Sequence, residues 1–186
     1  MLKKMLFSSA LLVAVITFSG CGKDDPVIPE EVELITSLIY TLTPADGGSP
    51  VVLSFVDLDG DGGNDPVITG ATLVANQSYT GSIELLNESE TPVESITEEI
   101  EEEQEEHQFF FQSTIADLAI TYSDQDANGN PVGLSSTVTT GEAASGSITI
   151  TLRHEPSKDA SGVSDGDLAN AGGETDIEVT IPVAIQ

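Results

Sequence analysis

The two histidines of this chain stand where they would be able to share a metal ion. His107 lies four residues after Glu103, the spacing at which two side chains on one helix face reach a common ligand. Both fall on a stripe, Val93, Ile96, Ile100, Glu103, His107 and Phe110, whose other members are apolar. The stripe therefore predicts that the pair faces the protein interior. His154 ends a stretch with strand alternation and is followed by Glu155. If the end of the helix lies near the end of that strand, Glu103, His107, His154 and Glu155 converge. Two imidazoles with carboxylates suit zinc or another divalent transition metal. The competing reading has His107 capping a helix and His154 as an exposed strand terminus.

Two acidic loops open like a calcium-binding loop, D-x-[DN]-x-[DN]-G, where oxygens at alternate positions turn inward because glycine bends the chain. The first offers Asp57, Asp59 and Asp61, with Gly62 at the turn and Asp65 at the ninth position. The second offers Asp124, Asp126 and Asn128 before Gly129. Ile68 and Ser135 stand at the twelfth positions, where a bidentate glutamate belongs. Both segments also read as hairpin loops built from good turn residues. They echo each other, with Asn64, Pro66 and Val67 behind the first and Asn130, Pro131 and Val132 behind the second. Two equivalent hairpins would produce this echo, and so would an old duplication. No phosphate loop and no dinucleotide fingerprint occurs. With no tryptophan and three tyrosines, a sugar-stacking platform is meagre. The expectation is a binding protein that is not an enzyme.

The elements that must position these residues are mostly strands. Short β-rich runs broken by Gly, Asn, Asp and Pro predict strands at 34–43, 51–56, 67–74, 79–86, 109–113, 116–122, 133–139, 147–154 and 176–185. Ile148, Ile150 and Leu152 share one face of their run, and Ile177, Val179 and Ile181 share one of theirs. So many short strands imply a mainly β, two-sheet immunoglobulin-like sandwich. One segment departs from it. Thr91-Pro92-Val93-Glu94 has a capping threonine, proline at the first helical position and glutamate three after the cap. An amphipathic acidic helix over 92–107 follows, its outer face nearly pure glutamate. Like charges four apart and acids near the carboxyl end both weaken it, so it needs packing on the sheet, a cation or a basic partner.

Charge narrows the partners. The chain carries 32 acids against 5 bases, a formal net charge of −27. Phosphate binding needs Lys and Arg patches that it lacks, which removes nucleic acid as a partner. Cations and basic proteins remain, and acidity also keeps an exposed protein soluble. Lys3 and Lys4 precede an apolar run from Met5 to Phe18, then the small residues Ser19 and Gly20. That run is too short for a comfortable membrane span, and its layout is that of a secretory signal. The single cysteine, Cys21, follows at the cleavage point, where a lipoprotein signal places it for lipidation. With Cys21 used so, no disulfide forms within the chain. Residues 1–20 are read as the signal, 21–31 as lipidated cysteine and tether, and 32–186 as the sandwich domain.

Cys21-Gly22-Lys23-Asp24-Asp25 resembles the surface-export signal of lipoproteins in the Bacteroides–Flavobacterium group. The stretches 96–111, Thr151-Leu152-Arg153-His154-Glu155-Pro156 and Gly172-Gly173-Glu174-Thr175-Asp176-Ile177 resemble small acidic lipoproteins of the same group, over nearly the whole chain. The resemblance implies lipid anchoring in the outer membrane and outward display, and it supplies no catalytic residues. Some such proteins carry the label of a type 1 periplasmic binding fold. The residues here argue against it, because that fold needs repeated βαβ units and one helix is legible. The expected role is capture of divalent metal at the surface, with an outer-membrane transporter as partner. The alternative is a structural or adhesive protein-interaction module.

Overall fold

The computed structural model describes residues 34–60 and 62–186. The signal stretch 1–20, Cys21, the tether to residue 31 and Asp61 lie outside the described residues. Among the described residues no helix is long and apolar enough to cross a membrane. Among the described residues the protein is mainly β, 47% strand and 9% helix, with two sheets packed as a sandwich and one α-helix, as its patterning predicts.

The larger sheet runs β3 (Val67–Thr69), β2 (Val51–Val56), β1 (Ser37–Pro44), β5 (Ser78–Asn87), β9 (Ser135–Thr139), β8 (Ala119–Tyr122), with β6 (Glu94–Ser95) pairing β5. The smaller sheet runs β4 (Ala71–Leu73), β11 (Glu174–Ile185), β10 (Ala144–His154), β7 (His107–Ser113). Leu38, Tyr40, Leu53 and Leu85 from the first sheet meet Phe109, Ile148, Ile150 and Ile181 from the second in one core. Each such side chain, fully buried, contributes roughly 1.5–3 kcal/mol. The alternation read in β10 and β11 is that inner face.

Two expectations need correction. The run 67–74 is two strands, because the chain changes sheets at Gly70. A β-carbon there would stand 2.5 Å from the Pro182 carbonyl oxygen, so only glycine allows the crossing this close to β11. The helix is also shorter than its stripe. Residues 94–95 are taken by pairing with Leu86 and Asn87, and Ser95 replaces Thr91 as the cap, accepting from the Glu98 amide at 3.4 Å. Helix α1 (Ile96–Glu102) then ends at Glu103. Repulsion among its acids is visible at Glu99, whose carboxyl is pushed up first by burial and then by Glu94, Glu103 and Glu102. Packing holds it: Ile96 and Ile100 are buried, and the Thr97 hydroxyl accepts from the Leu85 amide at 2.7 Å. Val93 is exposed instead of facing the core.

Candidate metal centre

His107 belongs to a strand, which changes what surrounds it. It opens β7 directly opposite His154, the last residue of β10. The rings stack with centroids 4.7 Å apart and planes 22° from parallel. On the other side of β10 lies β11, and the register there slips: Leu152 faces Ile177 while Arg153 faces Thr175. Asp176 is the extra residue of this bulge. Strict alternation would send its side chain outward beside Glu178. The bulge re-aims it, as bulges do, and its Oδ2 comes 4.0 Å from His107 Nε2. Three adjacent strands thus bring His107, His154 and Asp176 together, with a ligand atom from each within 4.8 Å of the others.

The surroundings fix these positions. Gly173, at φ +67, passes so close to the end of β10 that a β-carbon would lie 2.1 Å from the His154 carbonyl oxygen. Arg153 points to the outer face and donates to the carbonyls of Gly172 and Gly173 at 2.6–2.9 Å. It therefore pins the loop before the bulge and does not face the histidines. Between the His107 ring and the helix end, Nδ1 lies 3.2 Å from the Glu103 carbonyl oxygen. A carbonyl only accepts, so Nδ1 carries the proton and the neutral ring keeps its lone pair on Nε2, toward Asp176. A bond from the other ring nitrogen to a carbonyl is also how metal-ligating histidines are commonly oriented.

Electrostatics at the site pull against charge. Burial pushes His107 below the usual imidazole range, and His154 adds to this against the opposing pull of Glu103 and Asp176. Burial likewise raises the Asp176 carboxyl, with the two histidines acting the other way. The Asp176 side chain is 9% exposed and its Oδ2 accepts no hydrogen bond among the described residues. Tetrahedral zinc at about 2.0–2.1 Å from each ligand needs ligand separations of roughly 3.3 Å, so His107 Nε2 and Asp176 Oδ2, 4.0 Å apart, would have to close by roughly 0.7 Å and the cluster's widest pair by up to about 1.5 Å.

The sequence-derived set is thus redrawn. His107 and His154 do meet. Glu103 contributes its carbonyl, while its side chain is exposed and outside the cluster, because β7 and not a helix carries His107. Glu155 groups with His154 and Glu106 in a second, outer triplet. Asp176 and Glu106 were not legible as site residues: the first read as an outward strand position, the second as one of the solvated glutamates. The Gly172-Gly173 pair before β11 was the one hint of irregular backbone.

In both acidic loops aspartate carboxylates accept from backbone amides of the same loop. Both join neighbouring strands, β2 to β3 and β8 to β9, at opposite edges of the larger sheet. In the first, the Asp57 carboxylate accepts from the Gly60 amide at 3.0 Å and that of Asp59 from the Asn64 amide at 3.1 Å; Asp65 is exposed. In the second, Asp124 accepts from the amides of Gly133 and Ser135, and Asn128 is exposed. Asp126 holds the Lys158 ammonium at 3.0 Å. Asp126 of the second loop is thus already paired with an internal lysine, which weighs against calcium at Asp124, Asp126 and Asn128.

No protein-family model and no curated protein matches the chain. Among solved structures, the chain is similar to the S-layer protein SbsC, in the crystal structure of its domains 4 and 5. That likeness has 14% identity, covers 78% of this chain and 75% of that one, and has a TM-score of 0.32. A likeness of that size says nothing of function.

Proposed function

We propose that this protein is a non-enzymatic lipoprotein, anchored through Cys21 in the outer membrane and displayed outward, that binds a divalent transition metal. Its ligands are His107, His154 and Asp176, and their nitrogen-rich set favours zinc. The carrying observation is the bulge that turns Asp176 toward two cross-strand imidazoles and, among the described residues, leaves Oδ2 without a hydrogen bond. Three protein ligands leave a fourth position for water or for a group of a recipient, which suits delivery to an outer-membrane transporter. The resemblance to surface lipoproteins supports the location; Cys21→Ala should release the protein from the membrane fraction.

Isothermal titration with zinc tests the site. His107→Ala and His154→Ala should each weaken binding at least tenfold. If both bind like wild type, the zinc sits on exposed glutamates and the histidine site is wrong. A second reading, a structural or adhesive module, draws on exposed Val52, Leu58, Val67 and Ile68 around the β2–β3 edge. It predicts a melting temperature indifferent to micromolar zinc and to chelator, whereas a ligand bound by the native state alone raises it.

A further inference from the structure

We propose that Glu106, His154 and Glu155 form an outer loading position that shares His154 with the inner cluster, so that a divalent ion is captured at the surface and passed inward by that ring. This rests on the metal-binding reading above. His107 is fully buried and the Asp176 side chain is 9% exposed, whereas His154 is 24% exposed. An ion arriving from solvent therefore meets His154 first. Its exposed edge is flanked by carboxylates: Glu106 Oε2 lies 3.8 Å from His154 Nε2, and Glu106, His154 and Glu155 offer ligand atoms within 4.8 Å of one another. The two glutamates are tied by the backbone, with the Glu155 amide donating to the Glu106 carbonyl at 2.6 Å.

His154 stands in both triplets, and the Asp176 carboxylate, nine-tenths buried with an oxygen that accepts no hydrogen bond among the described residues, marks the inner end. Two divalent ions on one imidazole would repel strongly, so the positions fill in sequence. The direction follows from ligand chemistry. The outer triplet is one nitrogen and two carboxylates, good for fast capture of a hydrated cation. The inner one is two nitrogens and one carboxylate away from water, which a borderline-soft ion such as zinc prefers.

Stopped-flow association of zinc with the full chain, alongside equilibrium titration, separates the possibilities. Glu106→Gln/Glu155→Gln should slow association at least fivefold and slow dissociation in parallel, leaving Kd within twofold of wild type. The charge-matched control Glu98→Gln/Glu102→Gln should change the association rate less than twofold. An unchanged rate in the first variant overturns the loading position while leaving the inner site standing. Equal slowing in the control overturns it too, by assigning the effect to the general field of the acidic surface. A weakened Kd with unchanged association makes the glutamates ligands of the final site and also overturns it. If wild type takes up no zinc, the metal-binding reading itself fails.

Discussion

Asp126 and Asp176 are both carboxylates folded away from water, and the protein treats them in opposite ways. At Asp126 one oxygen accepts from the amides of Asn128 and Asn130, each at 2.9 Å, and the other meets Lys158 at 3.0 Å. Lys158 in turn donates to the Gln104 carbonyl. Burial pushes Asp126 up, yet the lysine and the two amides outweigh it and hold the carboxyl below the usual range. At Asp176 burial prevails and the carboxyl is raised. Its nearest basic group is an imidazole that burial itself disfavours charging. One cluster is complete with the chain's own cation; the other is built from groups that an added cation would satisfy. In a chain this short of lysine and arginine, that contrast separates an acid neutralised by the chain's own lysine from the acid proposed as a ligand.

The largest test of the contrast is Lys158→Met. It leaves the Asp126 carboxylate buried without its partner, and breaking a buried pair from one side costs about 3–5 kcal/mol. Urea unfolding should register that loss. The double variant Lys158→Met/Asp126→Asn should recover much of it, since neither charge is then stranded. A loss below about 1 kcal/mol in the single variant would mean water replaces the lysine, and the cluster is not self-sufficient.

Sequence patterning carried the sandwich because half-buried strands alternate, and β10 and β11 show that period over their inner faces. It also brought His107 and His154 into one cluster, although by a wrong route. The helical stripe through Glu103 and His107 ignored that Phe109 and Phe111 alternate as a strand. Strand pairing with β10 outweighed the weak propensity of a glutamate-rich helix, which already had charge repulsion against it. Asp176 stayed hidden for another reason. A bulge shifts register by one residue, and nothing in Glu174-Thr175-Asp176-Ile177 announces it. Lys158 was hidden as well, because its partner Asp126 lies 32 residues away.

A smaller effect comes from replacing each acid by its amide. Asp126→Asn should destabilise the metal-free protein, because Lys158 then lacks its counter-charge. Asp176→Asn should stabilise it by about 1 kcal/mol, since it removes an ionised group whose burial is not compensated. The same variant should lose the stabilisation by zinc. Such a trade of stability against ligand is expected of a site built to bind. The comparison breaks if both substitutions shift the urea midpoint in the same direction.

The smallest effect is the pH dependence of the metal-free protein, and its sign distinguishes the two clusters. His107 has its folded pKa lowered from 6.5, so in the range just below that value the unfolded chain binds more protons than the native one. Stability from this group is present above pH 6.5 and is lost as pH falls toward the folded pKa. Asp176 runs the other way: its folded pKa is raised from 3.8, so stability declines as pH climbs from there to the folded value. Asp126, lowered from 3.8, loses its contribution only as pH drops further, through its folded pKa. Urea midpoints measured across pH 3 to 8 should therefore show a gentle rise approaching pH 6.5. The Asp176→Asn variant should lack the opposing decline above pH 3.8, and His107→Ala should lose the rise. Each slope is bounded by a single proton, about 1.4 kcal/mol per pH unit. Should His107→Ala keep the rise below pH 6.5, that ring is not the group titrating there, and the electrostatic account of the inner cluster must be redrawn around a different residue.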